Sequence, residues 1–129
     1  MIVLDASVLI ALLDRSDTHH GAAHEFTRAH LGSSLAASAL TLAEALVRPV
    51  RAGHGADTRA AFASMGVTCL AVDDSDVLEL ATLRDATRLR MPDAVVLRAA
   101  ERYVGEVATA DAALADAAVA RGVTVHRLG

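Results

Sequence analysis

MIVLDASVLIALLDR, residues 1–15, decides the fold class. Ile2, Val3 and Leu4 make an apolar, β-branched run that predicts a short buried strand ending at Asp5. Val8, Leu9, Leu12 and Leu13 then recur at helical spacing, so a helix with one apolar face is expected from about Ser7 to Leu13. Asp5 is the only charged residue among the first thirteen, at the point where the strand gives way to the helix. An unpartnered buried ion costs several kcal/mol, so a carboxylate there should cap the helix, accept hydrogen bonds or bind a cation. Either Asp5 or Ser7 could serve as the cap.

The rest of the chain repeats the strand–helix alternation. Helices are expected over Thr18–Leu31 and Thr41–Arg48, the latter bent by Pro49, and then over Asp57–Met65. A further helix is expected from Asp76 to about Arg90, with Val77, Leu80 and Ala81 facing inward. Pro92 followed by Asp93 signals the start of the next, whose apolar run Ala94–Ala100 is mostly buried, and Ala112–Arg121 forms the last. Short strands are expected at Leu35–Ala37, Val67–Val72, Val107–Ala108 and Val123–Arg127. This alternation predicts an α/β fold, a three-layer sandwich with a short, mostly parallel central sheet, forming one domain over residues 1–129.

Three more acids share the setting of Asp5. Glu44 has no charged neighbour between Leu40 and Val47, Asp93 heads an apolar helix, and Asp111 follows the Val107–Ala108 strand through Thr109. Ligands of open parallel sheets lie at the carboxyl ends of the strands, where Asp5 and Asp111 would both fall. If the four carboxylates converge, each pair about 4 Å apart repels by roughly 4 kcal/mol at an effective dielectric near 20. Proton uptake or cations relieve that repulsion. An all-oxygen donor set selects a hard divalent ion, Mg²⁺ or Mn²⁺, and the natural chemistry is metal-assisted hydrolysis of a phosphodiester.

IVLDASVLIALL, TLAEALVRP, RMPDAVVLRAA and VATADAAL, in this order and spacing, resemble the PIN-domain ribonucleases, and among them the VapC-type toxins. The resemblance spans essentially the whole chain. It implies an acidic catalytic and metal-binding cluster at Asp5, Glu44, Asp93 and Asp111, with Thr109 as the hydroxyl residue that supports the last acid. It further implies cleavage of single-stranded or loop RNA, often transfer RNA, inhibition by a cognate antitoxin, and a homodimer. The chain departs from the family pattern at Ala6, where Thr or Ser is frequent, and at Leu114, where an aromatic is common. Ser7 is a candidate for the missing hydroxyl. Asp116 is better read as an exposed helix residue. A PIN-like module that binds RNA or protein without cutting is the competing reading.

Composition narrows the alternatives. All twelve basic residues are arginine, which excludes chemistry that needs a lysine, including that of phosphoacceptor receiver domains. A dehalogenase-type phosphatase would need a second aspartate as well, two residues after the first, and Asp5 is followed by Ala6 and Ser7. A net charge of −4 argues against a general electrostatic grip on nucleic acid. Arg48, Arg51, Arg88 and Arg90 flank the acids in sequence and are either phosphate contacts or ordinary helix-end charges. His20 and His24 have a zinc-compatible spacing but no third ligand, and are expected on a solvated helix face. The single Cys69 is expected in the core, and the first apolar stretch is too short to span a bilayer, so a cytoplasmic protein is expected.

Overall fold

A computed structural model describes residues 1–129. Five parallel strands, β1 (Ile2–Leu4), β2 (Leu35–Ser38), β3 (Val67–Leu70), β4 (Glu106–Thr109) and β5 (Val125–Arg127), form one sheet in the order β3-β2-β1-β4-β5. Val3 of the central strand pairs with Ala36 on one side and Val107 on the other. Side chains alternate across a strand, so Ile2 and Leu4 enter one core and Val3 the other. The first core packs against α1 (Ala6–Leu13), α2 (His20–Ala29), α3 (Ala39–Ala45) and α5 (Gly55–Ser64) through Leu9, Ala23, Leu42 and Phe62. The second packs against α6 (Val77–Thr87), α7 (Met91–Arg102) and α8 (Ala112–Ala120) through Leu83, Val96 and Leu114. This is the expected three-layer α/β sandwich. No helix is long and apolar enough to cross a membrane.

Several local expectations change. The helix expected over Thr41–Arg48 starts earlier, capped by Ser38, and breaks at Leu46 before a short α4 (Val47–Arg51). Pro49 has no N–H for the carbonyl of Ala45 and its ring crowds that oxygen, which explains the break. Helix α6 stops at Thr87 rather than near Arg90, because Arg88 turns left-handed (φ 63°) and Arg84 Nε donates to the Leu89 carbonyl at 3.1 Å. Leu80 faces inward as expected, but Val77 is 65% exposed and Ala81 also faces solvent; Asp76 and Leu83 take the buried positions instead. Cys69, expected in the core, is exposed on β3, an edge strand that is solvated at Thr68 and Cys69.

The inward turn of Asp76 has a specific cause. Its Oδ1 accepts from Arg98 Nε at 2.8 Å, and its Oδ2 accepts from Arg102 Nη1 and from the Asp73 amide, both at 3.0 Å. These bonds fasten the turn before α6 to α7. Burial pushes the Asp76 carboxyl upward, but the Asp73 amide and the two guanidinium groups outweigh it and hold the group below its ordinary value. Asp76→Ala is expected to cost about 2–3 kcal/mol in urea denaturation, less than for a fully buried pair because both arginines reach water. Since the folded-state value is lowered, this stabilisation is present above the unfolded-state value and is lost as pH falls through the folded one.

Candidate active site

Strand order reverses between β1 and β4, and the crevice at their carboxyl ends is where two of the four acids stand. Asp5 follows β1 directly, and its amide continues the ladder by donating to the Ala108 carbonyl at 3.0 Å. The residue is 6% exposed, and its side chain caps α1 through Oδ1, which accepts the Ala6 N–H at 2.8 Å. Oδ2 accepts from both Ser7 Oγ and Thr109 Oγ1 at 2.7 Å. Each hydroxyl in turn accepts a backbone N–H, Ser7 from Ala110 at 3.1 Å and Thr109 from Asp111 at 2.9 Å. Each has one proton, and both protons are spent on Asp5. The carboxylate is thus buried with its hydrogen-bond partners supplied, and Ser7 provides a hydroxyl that Ala6 cannot.

Asp111 caps α8, accepting the Leu114 N–H on Oδ1 at 2.9 Å. Asp93 lies in the first turn of α7, and its side chain is 13% exposed. Glu44, on α3, is exposed. Asp93 lies within the field of the other three acids, and Glu44 within that of Asp5. Burial first, then the charges of Asp111 and Asp5, raise the Asp93 carboxyl, with a further push from Glu44. Burial and then Asp5 raise Glu44. Arg90 acts against both, standing 4.0 Å from Asp93 with its side chain 80% exposed. No three His, Cys, Asp or Glu side chains are grouped tightly enough to enclose a metal ion as they stand. The donor set nonetheless suits a hard divalent cation: it is all carboxylate, partly shielded from water, and repels itself.

The arginines divide into two groups. Arg90 borders the acids, whereas Arg88 is the exposed left-handed residue that ends α6. Arg48 and Arg51 lie on α4 beside an open groove of about 730 Å³, which is also lined by Ile10, Leu13, Asp14 and Glu44. Arg48 is 3.9 Å from Asp14. Asp116 is exposed and paired with Arg127 at 2.8 Å. His20 Nδ1 lies 2.7 Å from the Ala11 carbonyl and its ring packs edge-on against that of exposed His24, with no third ligand beside them.

Thr41 was not legible as a site residue. It is 3% exposed on α3, three residues before Glu44, and its Oγ1 is the one buried side-chain polar atom without a hydrogen-bond partner. Leaving such a group unsatisfied costs about 1–3 kcal/mol. The available signal was a hydroxyl inside the apolar run around Glu44.

The PIN domain family matches residues 2–120. The chain belongs to the PIN-domain family. Among solved structures, this PIN domain is similar to a toxin–antitoxin complex from Klebsiella pneumoniae, at 22% identity and TM-score 0.73 over 86% of this chain and 87% of that one. It is also similar to FitAB bound to an IR36 DNA fragment, at 18% identity and TM-score 0.78 over 98% and 94% of the two chains. A third is VapC20 of Mycobacterium tuberculosis, described as a sarcin–ricin-loop-cleaving toxin, at 18% identity and TM-score 0.71 over 91% and 95%. At these identities the likeness establishes the fold. No curated protein matches the chain.

Asp93→Asn is expected to raise the melting temperature at pH 7 by a few degrees. The raised Asp93 carboxyl marks a charge the folded state disfavours, so wild-type stability falls as pH rises through the unfolded- and folded-state values. The gain should shrink when the melting curves are repeated at acidic pH, where wild-type Asp93 takes up its proton.

Proposed function

We propose that this PIN domain is a metal-dependent endoribonuclease, the toxin of a toxin–antitoxin pair, neutralised by a cognate antitoxin. The observation that carries the reading is the buried Asp5 at the carboxyl end of β1, joined through Thr109 to Asp111 after β4, with Glu44 on α3 and Asp93 on α7 within reach of its charge. Family membership supports it, since PIN domains are generally nucleases.

In this reading the four carboxylates would hold Mg²⁺ or Mn²⁺, which when bound supplies an activated water and stabilises charge on the phosphoryl group. Ser7 and Thr109 fix the orientation of Asp5 by donating both protons to Oδ2. Arg90 is the cation best placed for the scissile phosphate, and Arg88 for a flanking one; Arg48 and Arg51 serve phosphates farther along, beyond Glu44. The substrate is RNA, with transfer RNA a leading candidate, and the protein acts in the cytoplasm as a homodimer. The groove between α1 and α4, apolar at Ile10 and Leu13 and charged at Asp14, Arg48 and Arg51, is the surface suited to a segment of the antitoxin. A second reading, a PIN-like module that binds without cutting, draws on the open spacing of the carboxylates.

Cleavage of a labelled RNA pool with Mg²⁺ or Mn²⁺, against EDTA and Asp5→Asn, separates the two. Discrete products are expected with metal, none with EDTA, and a loss of at least about 100-fold in Asp5→Asn. Thr109→Val, which removes a partner of Asp5 and not a ligand, should lose about 10- to 100-fold. Metal-independent products would overturn the metal-dependent mechanism, and no products with normal antitoxin binding would transfer the assignment to the binding module.

A further inference from the structure

Between α3 and the start of α7 lies a recess of about 240 Å³ lined by Leu40, Thr41, Glu44, Met91, Pro92 and Val95. Leu40 is 51% and Met91 42% exposed, so two apolar side chains stand at its surface with little cover. Thr41 contributes to its lining, and the Thr41 hydroxyl is the unpartnered buried group of the chain. The usual solution for a helical threonine is a bond to the carbonyl four residues back, which Thr27, Thr82 and Thr87 make at 2.9, 2.9 and 2.7 Å. For Thr41 that carbonyl belongs to Ala37 in β2, outside the helix, and the bond is absent.

We infer that this recess is a nucleobase subsite, taking an unpaired base of the RNA next to the bond cut at the acidic cluster; the inference rests on the ribonuclease reading. Three observations favour a base as occupant. The volume lies below the roughly 300–1,000 Å³ of a drug-sized ligand site, which suits one ring system. Glu44 belongs both to the recess and to the acidic cluster, so an occupant is adjacent to the reacting phosphate. An apolar side chain from a second copy would leave Thr41 unsatisfied, whereas the edge of a base carries both donors and acceptors for a hydroxyl turned about χ1. Leu40 and Met91 would hold the faces of the ring, with the Met91 thioether making the sulfur–aromatic contact, in a site that has no aromatic side chain.

The test uses Asp5→Asn protein carrying ¹³C-methyl methionine, titrated with each of the four nucleoside 5′-monophosphates and with a short unstructured oligoribonucleotide. The three methionines are Met1, Met65 and Met91, and no aromatic side chain lines the recess, so a ring current from a base stands out. The Met91 methyl should move upfield while Met65 stays, and one base should bind best. Thr41→Val, which removes the hydroxyl at constant shape, should lower that preference about tenfold in the titration and in cleavage of substrates varied at the same position. A Met91 methyl that stays still at saturating nucleotide overturns the subsite. So does one that moves only with protein concentration, which assigns the recess to a second copy. Cleavage by the wild-type protein with Met91 silent leaves the nuclease and removes the subsite; a Met91 response without cleavage by the wild-type protein keeps nucleotide binding and removes the nuclease.

Discussion

The buried carboxylate of Asp5 is the constraint on which the rest is built. A parallel sheet of three- and four-residue strands has little backbone pairing to fix its register, and the central strand ends on an ion that water barely reaches. Two hydroxyls and one amide satisfy that carboxylate, and the groups that do so come from α1 and β4. Thr109 also accepts the Asp111 amide, and Ser7 the Ala110 amide, so the same bonds fix the turn leading from β4 into α8. One network therefore caps a helix, joins two strands at their carboxyl ends and aims two acids into one crevice.

The topology makes the remaining acids follow. Because the chain turns back between β1 and β4, the loops after those strands diverge and leave a crevice that α3 and α7 border. Glu44 and Asp93 reach it from helices, and their carboxyls are raised by burial first and then by the charges they face. The cost of that field is local. It is met by a structure whose stability is drawn elsewhere, from the two apolar cores and from the Asp76–Arg98–Arg102 fastening on the far side of α7.

Much of this is legible in the chain because a charge inside an apolar run is expensive and therefore conspicuous. Asp5 and Glu44 stand out in this way, and Asp93 through the proline before it. Asp76 does not, because Asp73, Asp74, Ser75 and Asp76 form a polar run that resembles a solvated turn; only its partners, more than twenty residues away, bury it. The same effect misplaces Val77 and Ala81, since helical spacing alone does not say which of two offset faces meets the core. Cys69 shows the converse: a small apolar residue in a strand tends inward unless the strand is an edge, and strand order is not written in the strand itself. Thr41 escapes notice because its oddity is an absent bond.

How an acidic protein would hold RNA is decided by range. A net charge of −4 acts over distances that salt screens beyond about 8 Å at physiological strength, whereas a phosphate at the crevice would meet the nearest charges unscreened. There four carboxylates outnumber the single bordering cation, Arg90, which is itself mostly in water. Without a divalent ion the crevice repels the polyanion it is proposed to cut. One or two bound ions would reduce or reverse its sign and would leave Arg90, now a counter-charge for Asp93, free to donate to phosphate. Substrate affinity and catalysis would then depend on the same ion, and the arginines outside the crevice would set position more than strength.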